Sequence, residues 1–134
     1  MKYPLGHDSR GRPHVELLEV PCHEDPRGLL APLNFDALPF APRRVFVVSG
    51  VPAGTVRGRH AHRSQTQALL CPAGSIEVEL KAACRASSVL LDRPGLVLVI
   101  HPGVWSAQTF IAADTVEMVL ASGSFDPSDY LREQ

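Results

Sequence analysis

The 12 prolines and 10 glycines of this 134-residue chain recur at intervals of roughly eight to twelve residues, which leaves little room for long helices. Between them lie short apolar segments. Ile76, Val78 and Leu80 alternate with Glu77, Glu79 and Lys81, the period of two expected of a strand with one buried face. Val45–Val48, Leu96–Ile100 and Val116–Ala121 are continuous apolar runs rich in β-branched residues, suited to strands buried on both sides. Val15 to Val20 reads as a further strand ahead of them. Lys81-Ala82-Ala83-Cys84-Arg85-Ala86 is a weak turn signal. Near the C-terminus Asp126-Pro127 supplies an N-cap with proline at the first helical position, predicting one or two helical turns over Ser128 to Arg132. The chain shows no repeat or linker. These signals predict an all-β jelly roll forming a single domain over residues 1–134.

Composition excludes several function classes. Hydrophobic residues make up 45% and charged residues 20%, an ordinary globular balance. A formal charge of −1 provides no basis for expecting nucleic acid or an anionic membrane as partner. No apolar run reaches the ~18 residues needed to span a bilayer, and Met1-Lys2-Tyr3-Pro4 does not open a signal peptide. Cys22, Cys71 and Cys84 are odd in number and lack metal-site spacing, so a reduced, cytoplasmic setting is expected.

The chemistry concentrates around two histidines. Gly54 is followed by five residues, then His60-Ala61-His62, four more residues to Gln67 and six more to Gly74. On a strand His60 and His62 project from the same face, about 6.6 Å apart. Arg59 and Arg63 have the opposite parity and are expected to face solvent; a bulge at Gly58 would turn Arg57 inward. Zinc and iron sites draw three or four ligands from His, Cys and carboxylates. Gln67 and Ser106 are poor substitutes, so no metal is expected. Metal-free histidines titrate near pH 6.5 and can exchange protons with carbon or oxygen. With an arginine to stabilise an oxyanion, that suits enolisation beside a carbonyl: isomerisation, epimerisation or dehydration.

The spacing from Gly54 to Gly74 resembles the first cupin motif, with Gln67 at the usual glutamate position. Gly95, Pro102 and Gly103 resemble the second, with Ser106 where a histidine is usual. More specifically, Asp25-Pro26-Arg27-Gly28-Leu29-Leu30, Arg43-Arg44-Val45-Phe46, Arg57-Gly58-Arg59-His60-Ala61-His62, Gln67, Gly103-Val104-Trp105 and Asp129-Tyr130-Leu131-Arg132 resemble the nucleotide-sugar 3,4-ketoisomerases of the WxcM-like cupin group. The resemblance runs from about Asp25 to Arg132.

It implies an RmlC-like cupin barrel that converts a dTDP-4-keto-6-deoxyhexose to its 3-keto isomer for deoxyamino-sugar biosynthesis, without metal or organic cofactor. It implies a homodimer in which the N-terminal strand crosses to the partner. Carried over residue by residue, His62 becomes the base at C3 and His60 the assistant at the enediol oxygens and C4. Arg57, Gln67, Trp105 and Ser106 become substrate-binding residues. The chain departs from the family in having Phe46, Val47 and Val48 where a tyrosine is common, and Ser106 where some members carry histidine. A non-catalytic sugar-binding or regulatory cupin is the alternative reading, and a metal-dependent cupin enzyme a third.

Overall fold

The structure, a computed structural model, describes residues 2–132. Met1, Glu133 and Gln134, which complete the expected domain, lie outside the described residues. Two five-stranded antiparallel sheets face each other. The first has the order β1 (Val15–Glu19), β9 (Leu96–Ile100), β6 (Gln67–Ala73), β11 (Val116–Ala121), β4 (Arg44–Val48). The second runs β12 (Tyr130–Arg132), β5 (Thr55–His62), β10 (Trp105–Phe110), β7 (Ile76–Ala82), β8 (Arg85–Leu91). A small hairpin, β2 (His23–Asp25) with β3 (Gly28–Leu30), stands apart. Among the described residues no strand pairing joins the two large sheets, so the jelly roll is a sandwich rather than a closed barrel.

The alternation read at Ile76, Val78 and Leu80 places all three in the interior, and they pack with Leu69, Leu91, Leu98 and Phe110 between the sheets. β4, at the edge of the first sheet, leaves Val45 and Val47 exposed, which corrects the expectation that Val45–Val48 is buried on both sides. The other strands of this sheet, β9 above all, are largely buried on both faces, as their apolar runs predict. Their outer side, Leu18, Ala68, Val97, Val99 and Leu120, is covered by Leu33, Leu38 and Phe40 from the segment leading into β4. Gly74 sits at φ +74°, where its backbone lies against Thr115, and a Cβ there would collide with that residue's backbone and side chain.

Three local features extend the sequence reading, and the second corrects it. β1 pairs with β9 of its own chain along its full length, and its other edge is bridged to Lys2 through Leu17. It is the terminal strand of its sheet, with one isolated bridge on its outer edge. The helical segment expected after Asp126 is a single 3-10 turn, Pro127–Asp129, capped by the Asp126 carboxylate accepting from the Ser128 N–H. The chain then becomes β12, because Tyr130–Arg132 finds the free edge of β5 and strand pairing satisfies more backbone groups than another turn would. The β7–β8 connection is a two-residue hairpin of Ala83 and Cys84, with Ala82 paired to Arg85. Both turn residues are left-handed, at φ 50° and 64°. Seven cross-strand pairs hold this geometry against the preference of the side chains.

That turn generates a stability prediction. A left-handed non-glycine residue costs about 1–2 kcal/mol, and Asn-Gly is the pair that suits a two-residue loop of this hand. Ala83→Asn combined with Cys84→Gly should raise the thermal midpoint by about 2–8 °C, measured by calorimetry.

Candidate active site

The interior between the sheets opens into a cavity of about 140 Å³ lined by Phe46, Val48, Arg57, His60, His62, Gln67, Leu69, Ser106, Gln108, Glu117, Val119 and Tyr130. Five of the six residues singled out from the sequence line it. The arrangement depends on β5. Opposite β10, Ser106 pairs with His60 but Ala107 pairs with Gly58, so Arg59 is an inserted residue. Gly58 and Arg59 both take positive φ, 89° and 62°. A Cβ on Gly58 would press within 3.1–3.2 Å of the Gln108 amide and the Ser106 carbonyl. The bulge resets the strand's parity, bringing Arg57 to the face that carries His60 and His62 and leaving Arg59 exposed.

Trp105 stands apart from the other five. It adjoins Ser106 on β10, so strand alternation turns it to the opposite face. There its ring pairs with Lys81, whose ammonium lies 4.7 Å from the ring centroid, beside a shallow groove formed with Ala61, Gly103, Leu131 and the Ala83–Cys84 turn. Arg43 is exposed. Arg44 lies over Phe46 and Phe125, at 5.1 and 5.9 Å, and donates to the Gln65 side-chain oxygen at 3.3 Å. Arg27 pairs with Asp25 at the exposed hairpin and takes no part in the cavity.

His62 is 8% exposed, and its Nδ1 lies 3.1 Å from Asp129 Oδ2. Asp129 also accepts from the Ser64 hydroxyl at 2.6 Å, the Ser64 N–H at 2.9 Å and the Gln65 N–H at 3.2 Å. Burial works against the Asp129 charge, but these donors outweigh it and hold the carboxyl below its ordinary range. An ionised Asp129 can only accept, so His62 carries its proton on Nδ1 and leaves the Nε2 lone pair free. Among the described residues Nε2 is buried without a hydrogen-bond partner. Burial lowers the His62 pKa, Asp129 opposes that shift, and the nearby His60 and Arg44 charges reinforce it. His60 Nδ1 faces the Gly58 carbonyl at 3.1 Å, which likewise places its proton on Nδ1. The two imidazoles meet edge to face at 5.2 Å, and Tyr130 packs against both, at 4.5 Å from His60 and 5.1 Å from His62. Gln108 donates to the Ser106 hydroxyl at 3.0 Å, fixing that pair on the cavity wall.

Sequence reasoning assigned no role to Asp129, Tyr130, Gln108 or Glu117. Asp129 and Tyr130 had a signal, since they begin the closing Asp-Tyr-Leu-Arg segment of the resemblance. Glu117 had a weaker one, an acidic residue inside the apolar run Val116–Ala121. Nothing in the sequence distinguished Gln108. The cavity's donor set also bears on metals: among the described residues no three His, Cys, Asp or Glu side chains cluster as a metal site would require. All three cysteines are free thiols, and no described helix is long and apolar enough to cross a membrane.

Comparison with known proteins agrees with this geometry. Residues 13–134 match the family described as FdtA, WxcM-like, C-terminal. The TDP-4-oxo-6-deoxy-alpha-D-glucose-3,4-oxoisomerase of Aneurinibacillus thermoaerophilus is 34% identical over 110 residues, covering 81% of this chain and 79% of that protein. The structure of QdtA, a sugar 3,4-ketoisomerase from Thermoanaerobacterium thermosaccharolyticum in complex with TDP, superposes with a TM-score of 0.84 at 31% identity, over 90% of this chain and 88% of QdtA. The rmlC epimerase of Mycobacterium tuberculosis, 21% identical, shares the fold with a TM-score of 0.79 over 98% of this chain and 72% of its own. A cupin sandwich with this cavity, matched over nearly its whole length, makes the chain a member of the FdtA, WxcM-like family of isomerases.

Proposed function

We propose that this protein converts a TDP-linked 4-keto-6-deoxyhexose to its 3-keto isomer by histidine acid/base catalysis. The observation that carries the reading is the buried, unpartnered Nε2 of His62, aimed into the cavity and backed at Nδ1 by Asp129. Desolvation keeps this imidazole neutral at neutral pH, the state a base requires. His62 removes the C3 proton, and Asp129 stabilises the imidazolium that results. His60, packed edge to face against His62, supports the transfer of that proton to C4, and Arg57 stabilises oxyanion charge at the cavity rim. Gln67, Ser106 and Gln108 supply neutral hydrogen bonds to the sugar. A cavity of about 140 Å³ is smaller than the usual drug-sized pocket, so it takes the hexose and leaves the nucleotide outside.

The donor set supports chemistry without a metal, because the amide and hydroxyl of Gln67 and Ser106 are weak ligands. The protein acts as a homodimer. Supporting this, β4 is the edge strand of its sheet, and its outward-facing Val45 and Val47 are 58% and 55% exposed, an edge and an apolar pair that a second copy would cover.

With TDP-4-keto-6-deoxyglucose in deuterated water, NMR should show the 3-keto sugar forming with deuterium at a ring carbon beside the original carbonyl. His62→Asn should cut turnover by about 10²-fold or more. No isomer and no exchange, across several nucleotide 4-keto sugars, would leave a binding role instead.

The Asp129 contact predicts a pH profile. His62 must be neutral to act, and its pKa is lowered, so the acid limb of kcat/KM should fall below pH 6.5 rather than at it. Asp129→Asn should reduce kcat by about 10²-fold or more while the protein stays folded, because an amide no longer fixes the Nδ1–H tautomer. Sedimentation at micromolar concentration should give twice the chain mass, and a monomer there would remove the dimer.

A further inference from the structure

Across the cavity from the histidines, the first sheet contributes one acidic side chain. Glu117 lies on β11 and is 3% exposed. It lines the cavity with its Oε2 buried and, among the described residues, unpartnered. Its position is a built one: the pairing of β11 with β6 shifts register between Val116 and Met118, so Glu117 sits opposite the step from Cys71 to Pro72. Such a shift re-aims a side chain, and here it accompanies a carboxyl in a strand otherwise made of apolar residues. A buried carboxyl without a full set of partners destabilises the fold. Its presence therefore calls for an explanation beyond packing.

We propose that Glu117 is a catalytic acid/base for the two oxygens of the sugar, working beside the histidine that handles the carbon-bound proton. This rests on the ketoisomerase reading. The reaction moves two kinds of proton. The C3 proton leaves perpendicular to the plane of the developing enediol, whereas the oxygen protons move within it. Groups on facing sheets can address both. In the first half, the histidine takes the proton from C3, the C3–H electrons form the C3–C4 double bond, and the C4 carbonyl oxygen takes the proton of the Glu117 carboxylic acid. In the second half, the Glu117 carboxylate takes the proton of the C3 hydroxyl, whose O–H electrons form the C3 carbonyl. The double-bond electrons then take a proton from the imidazolium at C4. Both groups end in their starting states, and no further reactant is needed.

The cycle requires a carboxyl that holds a proton near neutrality. Burial raises the Glu117 pKa to about 7, against an opposing pull from Arg57. The charged and titratable groups around it are Arg57, His60 and His62 on β5, Cys71 on β6 and Tyr130 on β12. Burial raises the Cys71 thiol to about 11, with Glu117 adding to the shift, so it stays neutral in this range.

The test is Glu117→Gln, which keeps shape and hydrogen bonding but cannot ionise. Turnover of TDP-4-keto-6-deoxyglucose should fall by about 10²-fold. The dissociation constant for TDP should stay within about threefold, and the limb near pH 7 should vanish from the kcat profile. Folding is monitored in parallel. The folded-state pKa is raised, so the parent loses stability as pH rises from about 4.5 through 7. The variant should match it in thermal midpoint at pH 4.5 and exceed it at pH 8. A variant with near-parental turnover and an unchanged pH profile overturns the proposal while the ketoisomerase reading stands. Turnover lost in step with TDP affinity, or with the pH 7 limb retained, also overturns it, since that marks a structural role. An inactive parent overturns the reading and the proposal together.

Discussion

One inserted residue in β5 decides what this cavity contains. Strand side chains alternate strictly, so Arg57 and the His60–His62 pair, of opposite parity, cannot share a face of a regular strand. Gly58 and Arg59, both at positive φ, supply the extra residue opposite β10 and bring the arginine around. The Gln108 amide and the Ser106 carbonyl pack against Gly58, so a larger residue there would displace part of the cavity wall. A glycine that looks like a turn former is here the residue that lets a cation and two imidazoles face the same space.

The second organising contact runs from the C-terminal segment back to β5. Asp129 is the last residue of a 3-10 turn and is followed at once by β12, which lies along β5 with Tyr130 opposite His62. The same carboxylate caps the backbone at Ser64 and Gln65 and orients His62. The chain end thus closes the sheet, fixes an imidazole tautomer and sets an aromatic ring against the histidine pair. Packing of this segment and orientation of His62 use the same few atoms here.

Charge within the cavity is arranged by desolvation as much as by pairing. Burial lowers His62 and raises Glu117, so both lie closer to their neutral forms than they would in water. Asp129 remains ionised because four donors converge on it. Two arginines, Arg44 and Arg57, reach the same region from opposite sheets. The outcome is a small space where an uncharged acid and an uncharged base can coexist near pH 7.

The all-β class, most strand positions and five cavity residues were legible in the amino-acid sequence, because strand periodicity and the Gly–His–Gln spacing are local properties. The parity of Arg57 was legible only through Gly58, a residue whose backbone freedom allows a bulge without requiring one. What lay beyond the sequence depends on contacts distant along the chain. Asp129 reaches a histidine 67 positions away, and Glu117 shares a cavity with that histidine only because the two sheets stack face to face. Trp105 was associated with the site through its neighbours, yet alternation on β10 directs it to Lys81 on the outer face. Ala83 and Cys84 form a turn that their side chains disfavour, since cross-strand pairing outweighs local preference. Sequence by itself determined which residues can carry the chemistry. The tertiary structure decided which of them share a cavity and in what protonation state, because both depend on burial and on partners brought in from the facing sheet.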